Sequence, residues 1–171
     1  MNIISGRRET QYTAQQLLDE LQPSHVILGP GPGWPSDSRL TMEFAQLSLS
    51  GDAPPLLGIC LGHQAIGVSA GLSLVPSPIG PVHGTPVKCL HKGEALFEGL
   101  DDVSMTRYNS LTHLTADVSG ESNLIVDATD DTKSLVLGFR AKGRPVFGVQ
   151  FHPESVGSQF GGHILSKFLE Y

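Results

Sequence analysis

Cysteine is scarce in this sequence of 171 residues, with only Cys60 and Cys89 present. Two cysteines are too few for a disulfide framework or for a Cys-rich zinc site. Long apolar runs are also missing, because no run approaches the roughly 20 residues that a membrane helix needs. The first residues show no apolar core of a signal peptide. We therefore expect a cytoplasmic protein with free thiols and without a membrane partner.

Basic residues are the minority, since 11 Lys and Arg stand against 17 Asp and Glu and give a formal net charge of −6. No basic patch stands out, and this argues against nucleic acid as a partner. The length is sufficient for a full hydrophobic core, and there is no repeat or low-complexity stretch. We predict a single domain over residues 1–171.

Helix-like and strand-like segments alternate along the chain. Thr13 is a plausible N-cap for the first helix, and Gly71 marks the end of the third. Helices are predicted at 12–21, 40–50, 61–71 and 158–170. Strands are predicted at 25–28, 55–59, 123–127, 134–139 and 145–151, and segment 72–118 is rich in residues that favour strands. The alternation predicts an α/β fold with a mixed, mostly parallel sheet covered by helices on both faces, with antiparallel additions in the second half of the chain.

The strongest chemical motif is Gly58-Ile59-Cys60-Leu61-Gly62, which joins a predicted strand to a predicted helix. A turn this sharp strains the nucleophile, and flanking glycines let neighbouring backbone pass closely. A helix N-terminus under the sulfur favours the thiolate. An arbitrary cysteine is more often a small buried hydrophobe, but this context favours Cys60 as nucleophile. Cys89 lacks such a context and is expected to be structural.

A cysteine nucleophile needs a base, and the base needs a group that orients it. His152 and Glu154 lie two residues apart just beyond a predicted strand, so both can face one site. His63 follows Cys60 by three residues, and we expect it to pack nearby without contacting the sulfur. The remaining histidines lack a chemical context.

Acyl transfer also needs backbone N–H donors for the oxyanion. The amide of Leu61 is one natural donor, and the loop Gly31-Pro32-Gly33 offers another. A plain turn is the simpler interpretation of an isolated Gly-Pro-Gly. A phosphate-binding loop is disfavoured because the G-x-G-x-x-G spacing and the GK[ST] ending are missing.

Three segments together resemble the class I, triad-type glutamine amidotransferases, namely 28–35, 55–67 and 148–155. Within that family the chain looks most like the small subunits of anthranilate synthase and aminodeoxychorismate synthase, with 81–84 and 107–111 as further pointers. The resemblance implies a flavodoxin-like fold and the triad Cys60, His152 and Glu154. It also implies a glutamine site and, as partner, a chorismate-binding synthase large subunit, with no metal or organic cofactor. The residues implied to bind glutamine are Gly31, Pro32, Gly33, Leu61, Gln64, Ser110 and Leu111.

The sequence departs from the family in three places. In family members, a first strand and helix precede the segment that corresponds to MNIISGRRET here. This sequence has no counterpart of that strand and helix, so the fold is expected to be N-terminally shortened. Either residues 1–5 take the place of that strand, a partner covers the gap, or stability suffers. Asn109 replaces the usual histidine of the Arg-Tyr-His-Ser-Leu run. Trp34 is unusual in the oxyanion loop.

Three functions therefore compete. The first is a glutaminase subunit that gives ammonia to a chorismate-using synthase through a Cys60 thioester. The second is a catalytically weak or silent interaction subunit of such a synthase. The third is a stand-alone γ-glutamyl hydrolase, which the PGPGxP and RYxSL patterns disfavour.

Overall fold

The computed structural model describes residues 11–171, in which α-helices and strands alternate through residue 69 as expected, whereas seven consecutive strands then precede the last α-helix. The α-helices are α1 (Ala14–Leu21), α2 (Arg39–Ser50), α3 (Leu61–Ser69) and α4 (Gly161–Phe168). The strands are β1 (Val26–Leu28), β2 (Leu56–Ile59), β3 (Val75–Pro76), β4 (Thr85–His91), β5 (Val103–Arg107), β6 (Leu111–Thr112), β7 (Leu124–Thr129), β8 (Val136–Ala141) and β9 (Val146–Val149). Short 3-10 turns occupy Pro35–Asp37, Ala95–Phe97 and Thr115–Asp117.

The larger sheet has seven strands in the order β1-β2-β9-β8-β7-β4-β5, and β3 pairs with β6 in a separate two-stranded sheet. The mixed α/β sheet is confirmed, but its antiparallel share is larger than expected. Within residues 11–171, β1, β2 and β9 pair in parallel, and every other pairing of the larger sheet is antiparallel. The reason lies in the connections. The links from β7 to β8 and from β8 to β9 are too short for the crossover that parallel neighbours need.

Helices cover both faces of the sheet, as predicted. On one face, α1, α2 and α3 pack through Leu17, Phe44 and Ile66 against a core that includes Leu56 of β2. On the other face, α4 contributes Ile164 to a second core that includes Leu57, the next residue of β2. Consecutive strand residues point to opposite faces. The continuous apolar runs of β2 and β9 are therefore explained by burial on both sides.

The sheet curls, so that the edge strand β5 approaches the central strands around the second core. β5 lies at the opposite end of the strand order from β1. Nevertheless, Met105 of β5 packs in the same cluster as Leu57 and Val149 of the central strands. The carbonyl of Thr106 also accepts a hydrogen bond from the amide of His152, at 2.9 Å, just after β9. The curl therefore brings the end of β5 to the carboxyl ends of β2 and β9.

The predicted signals at helix ends are confirmed. Thr13 caps α1: its hydroxyl accepts from the amide of Gln16, whose side chain accepts from the Thr13 amide in return. This reciprocal capping box satisfies two backbone donors that would otherwise lack partners. Gly71 follows α3 with φ of 89°, a conformation that glycine adopts at little cost.

β1 is an edge strand among the described residues, and its Ile27 is half exposed. The hypothesis that residues 1–5 form an additional strand falls outside the described residues. Within residues 11–171, no helix is both long and apolar enough to cross a membrane.

Candidate active site

Cys60 lies at the turn between β2 and α3, with φ of 53° and ψ of −100°. Its amide donates to the carbonyl of Val149 at 2.9 Å, which fixes the turn on the end of β9. A positive φ at a residue other than glycine is a strained conformation that recurs at functional sites. The predicted strand–turn–helix geometry is therefore confirmed, and it holds Cys60 where the parallel strands end.

The two glycines of the motif are required by close backbone contacts. A Cβ atom on Gly58 would lie 2.5 Å from the carbonyl carbon of Gly62. A Cβ atom on Gly62 would lie 2.3 Å from the carbonyl oxygen of Leu28. Both contacts are with backbone, which cannot rotate away as a side chain can. The Gly-x-Cys-x-Gly pattern thus follows from the packing of the turn against itself and against the end of β1.

The resting state of Cys60 differs from the sequence expectation. Burial raises the pKa of the Cys60 thiol from 9.0 to about 11, and the nearby charge of Glu154 adds to the increase. The Leu61 amide and Arg107 lower the pKa, but they do not offset the loss of hydration. The helix N-terminus therefore does not produce a thiolate in the described state. A raised pKa favours the neutral thiol, which needs a base to become reactive.

His152, which follows β9, is the predicted acceptor of that proton. Its Nδ1 lies 2.7 Å from Oε1 of Glu154, so the carboxylate favours the tautomer that carries the proton on Nδ1. Its Nε2 is buried and has no hydrogen-bond partner among residues 11–171. The ring of Tyr108 meets the imidazole edge to face, with ring centroids 5.0 Å apart. The free Nε2 is the nitrogen that a general base requires.

The backbone around His152 is held by residues that sequence reasoning did not identify. The Thr106 amide donates to the Ser158 hydroxyl at 3.0 Å, and that hydroxyl donates to the His152 carbonyl. A Cβ atom on Gly161, the first residue of α4, would lie 1.8 Å from the Pro153 carbonyl oxygen. The contact of Thr106 with Ser158 joins residues 52 apart in the chain, so no local pattern could have revealed it.

The loop after β1 lies against the turn that carries Cys60. A Cβ atom on Gly31 would lie 2.8 Å from Cδ2 of Leu61. Gly33 has φ of 82°, and the amide of Trp34 donates to a carboxylate oxygen of Asp37 at 2.9 Å. Pro32 lies between these glycines, and Gly31 is the member of the segment that packs against the nucleophile turn. The expected partners of an oxyanion site, Leu61 and this loop, are therefore neighbours.

Gln64, Ser110 and Leu111 are also brought together. The side-chain amide of Gln64 donates to the Leu111 carbonyl at 3.0 Å and to the Gln150 side-chain oxygen at 3.2 Å. The Ser110 carbonyl accepts from the amide of Ser77 at 2.8 Å. The Leu111 carbonyl thus connects the segment that contains Ser110 to α3, the helix that follows Cys60. Their predicted contact with glutamine stays a prediction.

The other predicted side chains are structural. His63 is fully buried and stacks on Phe139 with ring centroids 4.5 Å apart. Burial lowers its pKa well below the usual value, so it remains neutral. Cys89 lies in β4, where burial raises the pKa of its thiol to about 12. Both residues pack as expected.

A separate cavity of about 470 Å³ lies away from Cys60, beside the amino-terminal end of β9. It is lined by residues such as Glu94, Arg140 and Tyr171. Its Arg140 is already paired with Asp127 and Glu94. Among residues 11–171, no group of three His, Cys, Asp or Glu side chains could hold a metal ion.

The fold and the site agree with sequence comparison. Residues 6–171 match the family model of the class-I glutamine amidotransferases. The chain belongs to this family.

Within the family, the chain is 39% identical over 158 residues to anthranilate synthase component 2 of Thermus thermophilus, covering 90% of this chain and 73% of that protein. It is 34% identical over 155 residues to aminodeoxychorismate synthase component 2 of Serratia marcescens, covering 89% of this chain and 79% of that protein. A crystal structure from Thermoplasma acidophilum, described as that of a GMP synthase subunit, aligns with a TM-score of 0.79 at 22% identity. That alignment covers 99% of this chain and 79% of the other and shows the shared fold.

Proposed function

We propose that this chain is a glutaminase subunit that hydrolyses glutamine to glutamate and supplies ammonia to a chorismate-using synthase. The product of that synthase would be anthranilate or 4-amino-4-deoxychorismate, as the names of the relatives indicate. The observation that carries the proposal is the strained Cys60 at the start of α3, together with a His152 that is oriented by Glu154 and free at Nε2.

The first half of the reaction forms a thioester. Nε2 of His152 takes the proton of the Cys60 thiol as Sγ attacks the carboxamide carbon of glutamine. The carbonyl oxygen becomes an oxyanion, which the Leu61 amide and the loop at Gly31–Gly33 stabilise through backbone N–H groups. The imidazolium then gives its proton to the amide nitrogen, the C–N bond breaks, and ammonia leaves.

The second half returns the enzyme to its resting state. Nε2 of His152 takes a proton from water, and the resulting hydroxide attacks the thioester carbon. The C–S bond breaks, the thiolate regains the proton from the imidazolium, and glutamate leaves. Throughout the cycle, Glu154 holds the proton on Nδ1 and stabilises the imidazolium. No metal or organic cofactor takes part in the proposed sequence.

The partner would contact the loops around this site. These loops carry apolar side chains that are exposed in the chain, an arrangement typical of interaction surfaces. They are Trp34, Ile79, Tyr108, Val156 and Phe160. Tyr108 contacts His152 directly, so a synthase subunit bound there would reach the catalytic base. The free thiols of Cys60 and Cys89 suit a reducing cytoplasmic setting for the complex.

A catalytically weak interaction subunit is the second candidate, and one observation favours it. With a pKa of about 11, the Cys60 thiol is almost entirely protonated near neutral pH in the isolated chain. The two candidates differ in whether a partner makes the thiol reactive.

The experiment is covalent labelling with a glutamine-like electrophile, with and without a chorismate-binding synthase subunit, and mass spectrometry to locate the adduct. We expect an adduct on Cys60 that excess glutamine prevents, and none on Cys89, which serves as the matched control. Stronger labelling with the partner would show that the complex completes the site. Absence of labelling in both conditions, from protein shown to be folded, would favour the interaction subunit.

Replacement of Cys60 by serine tests the role of the sulfur. We expect Cys60→Ser to abolish glutamine hydrolysis, because the hydroxyl is a much poorer nucleophile with this base. Synthesis by the partner from added ammonia should persist, because the folded subunit is still present. Measurement of both activities in the same complex decides the matter, and equal loss of the two would count against the assigned role.

A further inference from the structure

Arg107, the last residue of β5, is an unusual buried cation. It is fully buried, and its Nη2 has no hydrogen-bond partner among residues 11–171. No ion pair joins it to Asp or Glu in that part of the chain. Among acidic residues, Asp130 has the largest electrostatic effect on the pKa of Arg107. The two carboxylate oxygens of Asp130 already accept hydrogen bonds from Thr132 and from the amides of Ser134 and Leu135. A buried charge without a partner is costly, so its retention requires a reason.

The segment that contains Arg107 contacts both the predicted base and the loop at Leu111. The carbonyl of Thr106 holds the amide of His152, and the ring of Tyr108 lies against the His152 imidazole. Nε of Arg107 donates to Oδ1 of Asn109 at 3.0 Å, and Nδ2 of Asn109 donates to the Leu111 carbonyl at 2.8 Å. That same carbonyl accepts from Gln64 of α3.

We propose that Arg107 is a positioning residue for the thiol chemistry, because it fixes the Leu111 loop through Asn109 and places a buried positive charge on the segment that contacts His152. The inference rests on the proposed function, since it concerns the same thiol and the same loop. It gives the unpaired cation a role: its charge is balanced when Cys60 becomes a thiolate.

The electrostatics support the geometry. Arg107 lowers the pKa of Cys60, against the increase from burial and from Glu154. Burial in turn lowers the pKa of Arg107, and the thiols of Cys60 and Cys89 oppose that decrease. The groups that act on the sulfur are therefore Arg107, Glu154 and the Leu61 amide, with His152 as the proton acceptor. Among the charged side chains in this set, Arg107 is the one that favours the thiolate.

Three variants separate the charge from the loop contact. Arg107→Met removes both, Arg107→Lys keeps the charge but loses the Nε donor, and Asn109→Ala breaks the connection to Leu111 alone. Lys88→Met is the matched control, because it removes a positive charge from the neighbouring strand β4 at a side chain that is 55% exposed. Circular dichroism would establish that each variant is folded.

The first measurement is the rate of Cys60 alkylation by iodoacetamide as a function of pH, with mass spectrometry to locate the adduct. We expect Arg107→Met to shift the profile upward by about one pH unit, a typical effect of a nearby opposite charge. Alkylation at a fixed pH below the pKa would then be about tenfold slower. Arg107→Lys, Asn109→Ala and Lys88→Met should keep the native profile.

The second measurement is glutamine hydrolysis in the complex with the synthase subunit. We expect Arg107→Lys and Asn109→Ala to raise KM severalfold with a smaller change in kcat, whereas Lys88→Met changes neither. An alkylation profile of Arg107→Met that coincides with that of Lys88→Met would overturn the electrostatic role. If Arg107→Met fails to fold, an unchanged KM for glutamine in both Arg107→Lys and Asn109→Ala would overturn the positioning role.

The two proposals can fail separately. If glutamine does not protect native Cys60 and no glutamate forms, the glutaminase function fails. The dependence of the alkylation profile on Arg107 can still be measured in that case, because iodoacetamide needs no glutamine site. If glutamine is hydrolysed normally by all the Arg107 and Asn109 variants, the function stands and the inference fails.

Discussion

At the scale of single residues, Cys60 combines two opposing features. The turn that lifts it onto the end of the sheet places its backbone at the start of α3, where amide dipoles favour an anion. The same turn leaves the residue only 6% exposed, and lost hydration outweighs those dipoles. In the proposed mechanism, the sulfur therefore depends on His152 as proton acceptor near neutral pH.

This balance predicts that the alkylation rate of Cys60 in the isolated chain continues to increase into the alkaline pH range. Because the pKa of Cys60 is raised to about 11, the thiolate fraction should increase about tenfold per pH unit from about pH 7 to about pH 10. Alkylation rates measured by mass spectrometry would test this. The chain unfolded in urea is the control, and its profile should level off near the ordinary thiol pKa.

A plateau in the native profile already present at about pH 7 would contradict this expectation. It would instead indicate a preformed ion pair of thiolate and imidazolium. Addition of the synthase subunit to the same assay would show whether the complex changes the balance.

At the scale of elements, the start of α4 supports the loop that carries His152 and Glu154. Gly161 has no room for a side chain, because a Cβ atom would lie 1.8 Å from the Pro153 carbonyl oxygen. Gly162, the next residue of the same helix, has nothing within 4 Å of that position. The two glycines therefore form a natural pair for comparison.

Gly161→Ala should move the loop and lower glutaminase activity. We expect the free energy of unfolding to fall by about 1–3 kcal/mol, as for an overpacked site, and kcat to fall because His152 is displaced. Gly162→Ala should be neutral or stabilising by up to about 1 kcal/mol, because alanine favours helix. Urea denaturation and glutamine hydrolysis measure the two effects. Similar behaviour of the two variants would argue against the contact.

At the scale of the whole molecule, the curled sheet buries both cysteines in one core. Cys60 and Cys89 belong to the same cluster as Met105 and Val149. Burial raises the pKa of both thiols, to about 11 and about 12. The native state therefore holds these protons more tightly than the unfolded chain does.

This difference makes stability depend on alkaline pH. The stabilisation is complete below the unfolded value of 9.0, and it is lost as the pH rises through 11 and 12. We expect the free energy of unfolding to decline above about pH 9. Cys89→Ala should show a shallower decline, because one of the two thiols is gone. Denaturant titrations across this pH range would test it, and equal slopes for the two proteins would contradict the prediction.

Local patterns in the sequence were sufficient for several features of the fold and the site. The capping box at Thr13 depends on residues three apart, and the Cys60 turn depends on glycines two residues either side. The 2.7 Å contact of His152 with Glu154 joins neighbours in a short loop. The large antiparallel share of the sheet was harder to foresee, because apolar runs show burial on both faces and do not show strand direction.

The sequence by itself determined the four helices and the central strands, the nucleophile turn and the proximity of His152 to Glu154, because each depends on residues close in the chain. Only the tertiary structure decided the protonation of Cys60, since its pKa depends on how completely the surrounding core removes water. Only the curl of the sheet brought Thr106 to His152 and left Arg107 buried without a carboxylate partner among the described residues. Those contacts join strands far apart in the sequence, and their geometry exists only once the chain has folded.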